Sequence, residues 1–147
     1  MARRKGRILA FQALFSWDMG NGDVNSLMEF PWAHSSVQED VVSGDSSPKI
    51  NESESFARLL VAGTIEHVSE IDELIKKHLD SWDFNRINKV DLAILRVSVY
   101  PLLYQKDLHP SIVINEAVDI SKEFGSDDSF EFVNAVLDNI RKDLGGK

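Results

Sequence analysis

The chain has 147 residues, 43% of them apolar and 27% charged, enough for one folded domain and unlike a disordered segment. It contains no cysteine, which removes disulfide frameworks, thiolate metal sites and cysteine nucleophiles, and fits a reducing cytoplasm. The formal net charge is −8, but Met1 to Arg7 carry four bases and no acid, leaving 12 bases (16 less four) against 24 acids in the rest. Such an acidic body repels nucleic acid over most of its surface, so a polyanion has to meet the basic arm.

The spacing predicts a first helix over about 3–19. Ile8, Phe11 and Phe15 form its stripe, flanked by Ala10, Ala13, Leu14 and Trp17, so it belongs deep in a bundle. A basic start followed by apolar residues imitates a signal peptide, but Gln12, Ser16 and Asp18 interrupt the run and no small-x-small cleavage site follows. No apolar run approaches the roughly 18 residues of a membrane span. A cytoplasmic, non-membrane protein is expected.

Gly20-Asn21-Gly22-Asp23 ends this helix, and Asp23 caps a short second one through Leu27, Met28 and Phe30. Residues 34–55 hold seven serines, Gly44 and Pro48 among scattered acids, and read as a flexible surface loop. Helix returns over about 52–68. Gly63 within it costs about 1 kcal/mol relative to alanine, which predicts a closely packed neighbouring backbone. Ser69 and Asp72 restart or bend the helix towards Asp80.

Trp82 and Phe84 lead into the strongest helix, Val90 to Tyr104, where Pro101 is expected to kink or shorten it. His109-Pro110 opens the next, which Gly125 stops after Phe124. Ser126-Asp127-Asp128 is expected to cap the last helix, built on Phe130, Val133, Val136, Leu137 and Ile140. Strand signals are nearly absent, so the body is all-α with about seven helices.

No residue pattern resembles an active site. The histidines are scattered, and His67 with Glu70 is a single i, i+3 pair without the second pair a di-iron bundle needs, so no metal is expected. There is no phosphate-binding Gly-rich loop and no nucleophile elbow. The arm is different. Arg3, Arg4, Lys5 and Arg7 oppose the dipole of the helix they start, and a sequence that opposes its own local physics often marks function. They form a compact cationic patch in this reading, suited to phosphates and unstacked bases, against the plainer reading of a solubilising tail.

Several blocks carry a family resemblance. They are Arg3-Arg4-Lys5-Gly6-Arg7 with Gln12-Ala13-Leu14-Phe15-Ser16-Trp17, then Leu59-Leu60-Val61-Ala62-Gly63. Val90-Asp91-Leu92-Ala93-Ile94-Leu95-Arg96 and Ile114-Asn115-Glu116-Ala117-Val118 follow, then Phe124-Gly125 and Phe132-Val133-Asn134-Ala135-Val136-Leu137-Asp138. In this order and spacing the chain resembles the transcription antitermination factor NusB family from end to end.

The resemblance implies two small packed helical bundles, about 1–80 and 81–147, forming one RNA-binding domain. It implies a non-enzymatic factor that pairs with NusE, a small-subunit ribosomal protein, on single-stranded boxA RNA within an RNA polymerase antitermination complex with other Nus factors, supporting ribosomal RNA synthesis. It assigns RNA contacts to Arg3, Arg4, Lys5, Arg7, Phe15, Asp128 and Phe132, and a partner contact to Asp91. No cofactor is implied, and a homodimer that buries the RNA surface is a compatible storage state. Ala135 stands where glycine is usual, Pro101 where an acid is usual, and the serine-rich stretch is longer than usual. Two other readings compete: the RNA-binding domain of a ribosomal RNA methyltransferase, and a purely protein-binding helical adaptor.

Overall fold

A computed structural model of the chain describes residues 2–20, 23–27, 30, 52–79, 83–105 and 108–144. Among these residues the fold is all-α. Helix α1 is Ala2–Asp18, α2 Val24–Leu27, α3 Glu52–Glu66, α4 Val68–Lys77, α5 Lys89–Tyr104, α6 Pro110–Phe124 and α7 Ser129–Asp143, with a 3₁₀ turn at Phe84–Arg86. Among the described residues no helix is long and apolar enough to cross a membrane.

α5 organises the packing. Asp91 through Val99 are all buried, which matches an apolar helix surrounded on every side. One side of α5 meets α1 and α3, which pack tightly on each other, and the other meets α6 and α7, which form a second close pair. Leu14, Leu60, Ile94, Leu95, Leu137 and Ile140 from these helices are all fully buried in a continuous core. Most of the expected core residues are therefore in it.

Local chemistry sets the helix ends. Asn88 accepts from the Asp91 backbone N–H at 2.8 Å and starts α5. His109 Nδ1 accepts from Ser111 N at 3.1 Å, with Pro110 at the first helical position of α6. Gly20 ends α1 with φ +77°, a left-handed conformation that glycine adopts freely. Gly125 stops α6 for another reason: a Cβ there would lie 2.5 Å from Ser129 Oγ and 2.8 Å from the Ser121 carbonyl oxygen.

Four expectations are corrected. The α3–α4 break falls at His67 rather than at Ser69, and His67 provides no side-chain cap. Pro101 does not shorten α5, which reaches the expected end at Tyr104. Gly63 makes room for a ring rather than a backbone: a Cβ there would be 2.2 Å from Tyr100 Cζ. The 34–55 loop is shorter at its C-terminal side, because Glu52 to Ser55 form the first turn of α3, with Ser53 and Glu54 buried. The rest of that loop, residues 34–51, and Met28 and Trp82 lie outside the described residues.

Candidate nucleic-acid interface

The described side chains of the basic arm do not form one patch. Arg4 Nε donates to Glu116 Oε1 at 2.9 Å and Nη2 to Asp119 Oδ2 at 2.6 Å, tying α1 to α6. Those two carboxylates hold the guanidinium above its ordinary pKa, the Glu116 hydrogen bond most of all. Arg7 is 5% exposed, its guanidinium 5.3 Å from the Phe56 ring centre. The sequence order explains this turn inward. Arg7 heads the helical face that continues through fully buried Ala10 and Leu14. Beside it, Gly6 admits α3 so closely that a Cβ would be 2.7 Å from Phe56. Lys5 is exposed, and the Arg3 side chain lies outside the described part of the chain.

Phe15 is half-buried and serves two surfaces. It packs against the core, and its remaining edge lines a groove of about 360 Å³ with Phe11, Gln12, Ser16, Val90 and Phe124. Phe11 and Phe124 rings meet at 5.3 Å and 58°, closing the floor between α1 and α6. Phe15, Val90 and Phe124 also line an adjoining hollow of about 300 Å³ whose rim includes Asn88, Lys89 and Ser126. Lys89 Nζ lies 3.3 Å from Asp18 Oδ2 and is half-exposed at the groove mouth. Aromatic edges framed by amide, hydroxyl and ammonium groups suit an unstacked base and its phosphate.

Asp91, expected to meet a partner, is turned inward and is 6% exposed. Its Oδ2 accepts from Asn88 Nδ2 at 3.2 Å, while Oδ1 is buried without a hydrogen-bond partner. Burial pushes this carboxyl above its ordinary pKa, and the Ser129 and Asn88 side chains oppose that shift. Asp91 braces the start of α5 instead of presenting charge.

Asp128 and Phe132 gather elsewhere, in a hollow of about 460 Å³ between the end of α4 and α7, lined also by His78, Leu79, Val136 and Asn139. The expected cap is corrected as well. Asp128 precedes α7 without a side-chain cap bond, and Ser129 Oγ accepts from Ser126 N at 2.9 Å. Ser129 is buried and Asp128 exposed, so the hydroxyl secures the turn and the carboxylate stays in water. Of the expected residues, Phe15 thus lines the groove on one side of the Gly125–Asp128 turn and Asp128 and Phe132 the hollow on the other, while Arg4, Lys5, Arg7 and Asp91 line neither.

Gln12, Ser16, Val90, Phe124 and Lys89 join the groove without having been singled out for it. Two carried a signal. Gln12 interrupts an apolar helix, and Lys89 places a cation at a helix N-terminus against the dipole. Among the described residues no cluster of three or more His, Asp or Glu is placed to hold a metal.

The family model described as NusB family matches residues 4–142. A transcription antitermination protein NusB of Treponema denticola is 48% identical over 141 residues, covering 96% of each chain. That of Treponema pallidum is 49% identical over 142 residues, covering 97% of this chain and 94% of its own. A crystal structure of antitermination factors NusB and NusE in complex with dsRNA superposes with a TM-score of 0.76 at 29% identity, covering 97% of both chains.

Proposed function

The chain belongs to the NusB family, and on that premise we propose that this antitermination factor, a non-enzymatic RNA-binding protein, acts with NusE on a boxA-type single-stranded RNA to support ribosomal RNA transcription. The observation that carries this reading is the Phe15–Val90–Phe124 groove with Lys89 at its mouth. A duplex keeps its bases stacked and offers mainly shape and backbone. A groove of aromatic edges and short polar groups rewards a base that has left the stack. The relative seen with NusE and RNA supports the pairing of partners.

Within this reading Lys5 and Arg3 supply phosphate contacts beyond the groove, while Arg4 and Arg7 shape the surface by locking α1 onto α6 and α3. Asp128 and Phe132 extend the RNA face past the turn, and Asp91 supports the NusE surface by holding the α5 N-terminus. The factor works in the cytoplasm as part of an RNA polymerase antitermination complex, and its homodimer covers the groove when RNA is absent.

Titrating a boxA-type RNA, single-stranded and as a duplex, into the parent and Phe15→Ala proteins with and without NusE tests the reading. Preference for the single strand, increased by NusE and reduced by Phe15→Ala, supports it. A duplex preference unaffected by Phe15→Ala overturns it in favour of shape recognition.

A further inference from the structure

The mouth of the groove is tied to the protein interior by a chain of charges. Lys89 is the first residue of α5, where its charge opposes the helix dipole, so helix stability does not explain it. Its ammonium lies 3.3 Å from Asp18 Oδ2 at the end of α1. That oxygen is buried and accepts no hydrogen bond among the described residues, so the ammonium is the cation set against it. The other oxygen of Asp18 faces Arg96, whose Nη1 lies 3.5 Å away. Arg96 is fixed in turn to Asp72 by two hydrogen bonds. Side-chain exposure falls inward along this chain, from 51% at Lys89 to 19% at Asp18 and 8% at Arg96.

The difference in exposure assigns the roles. A solvated lysine samples many rotamers, and fixing one of them on a phosphate costs conformational entropy. Asp18 has little such freedom, because Arg96 holds it from the buried side. In the pair Lys76–Glu73, by contrast, both partners are exposed and neither is anchored, the kind of pair that contributes little. An ammonium carries three N–H donors. One directed at Asp18 leaves the others for a phosphate on the solvent side, while the buried Asp18 oxygen stays out of reach of RNA. Lys89 lines the hollow that Phe15, Val90 and Phe124 share with the groove, so the anchored ammonium stands beside the place where a base enters.

We infer that Asp18 is a positioning residue for RNA binding: anchored by Arg96, it holds the Lys89 ammonium at the groove mouth for the phosphate of the nucleotide whose base enters. The inference rests on the RNA-groove reading above and adds the residue that orients its cation. It also gives two acids near the RNA face opposite effects. In that reading Asp128 is an exposed charge that repels phosphate, whereas Asp18 acts through the cation it holds.

The test is a double-mutant cycle of Asp18→Asn and Lys89→Gln in the full chain, read by titrating single-stranded boxA-type RNA with NusE present at fixed salt. Asparagine keeps the shape and can still accept from Arg96, but it releases the ammonium. Removal of the charge as such, and any stability lost through Arg96, act alike in both Lys89 backgrounds and cancel in the cycle. Asp18→Asn should weaken binding about threefold more with Lys89 present than in Lys89→Gln, the usual cost of ordering one long side chain. Asp18→Glu, which keeps the charge, should restore part of the loss. The free parent should also show two distinct Lys89 Hε proton resonances, the signature of a held side chain, and a single averaged resonance overturns the proposal. So does an absence of coupling, or coupling of the opposite sign, in which Asp18 competes with RNA for Lys89; weaker binding by Phe15→Ala and Lys89→Gln then leaves the groove reading standing. Binding indifferent to both Phe15→Ala and Lys89→Gln overturns the groove reading, and this proposal with it.

Discussion

Arg96 grips Asp72 with two parallel hydrogen bonds, Nε to Oδ1 at 2.9 Å and Nη2 to Oδ2 at 2.8 Å. Its Nη1 also lies 3.5 Å from Asp18 Oδ1, so one guanidinium links α5 to α4 and to the end of α1. The Arg96 side chain is 8% exposed. Removing one partner of a buried pair leaves the other charge uncompensated, so Arg96→Met should cost about 3–5 kcal/mol in urea unfolding. Arg96→Lys should recover only part of this, because a point charge cannot replace the two-pronged contact. A loss below about 1 kcal/mol for Arg96→Met would show that the linkage is dispensable.

Asp91 gives a pH dependence of defined sign. Its folded pKa is raised by burial above its unfolded value. In the window from the ordinary aspartate pKa up to the raised one, the folded state binds more protons. Stability from this group is thus greatest at low pH and is lost as pH rises through the folded pKa. Asp91→Asn should flatten that decline. Parallel denaturation curves of parent and variant from pH 4 to 8 check both statements, and an unchanged slope would contradict them.

Much of the fold was legible because apolar periodicity is a local signal. The stripe on α1, the continuous apolar run of α5 and the His109-Pro110 start of α6 all reappear as expected. What remained hidden depended on distant parts of the chain. Nothing local shows that Arg4 meets Glu116 and Asp119, or that Arg96 meets Asp72. Arg96 in the middle of an apolar helix was the available hint. Arg7 was legible in principle, since it heads the Ala10–Leu14 face, but the strong charge of the arm favoured an exposed reading. At the last helix, three polar residues competed for the cap, and the buried Ser129 hydroxyl took the turn.

The divided arm changes the salt dependence expected for RNA binding. Each single-strand phosphate contact adds about 0.7 to the slope of log affinity against log salt. Arg3→Gln/Lys5→Gln should lower the slope by about 1.4 and leave unfolding unchanged. Arg7→Ala should lower stability by about 2 kcal/mol through lost packing on Phe56. A slope untouched by the Arg3/Lys5 pair would remove the arm from the RNA surface.

Asp128 and Ser129 should separate cleanly. Ser129→Ala loses the bond to Ser126 N and should cost about 1 kcal/mol of stability. Asp128→Ala should cost under about 0.5 kcal/mol, since no side-chain cap is lost. If Asp128 faces RNA phosphates at about 7 Å, a dielectric near 60 gives roughly 0.8 kcal/mol of repulsion before screening. Asp128→Asn should then bind RNA up to about fourfold more tightly at low salt. Identical binding by parent and variant would leave Asp128 with no role on that face.

The central claim is that the groove between α1, α5 and α6 receives an unstacked RNA base, and fluorescence titration of a single-stranded boxA-type RNA carrying 2-aminopurine tests it most directly. With NusE present, the parent should bind with 1:1:1 stoichiometry and quench the probe at one position, through stacking on Phe15. Phe15→Ala should lose that quenching and about 1–3 kcal/mol of affinity, the usual worth of one base–aromatic stack. Unchanged quenching and affinity in Phe15→Ala, or equal binding of a shuffled RNA, would contradict the account.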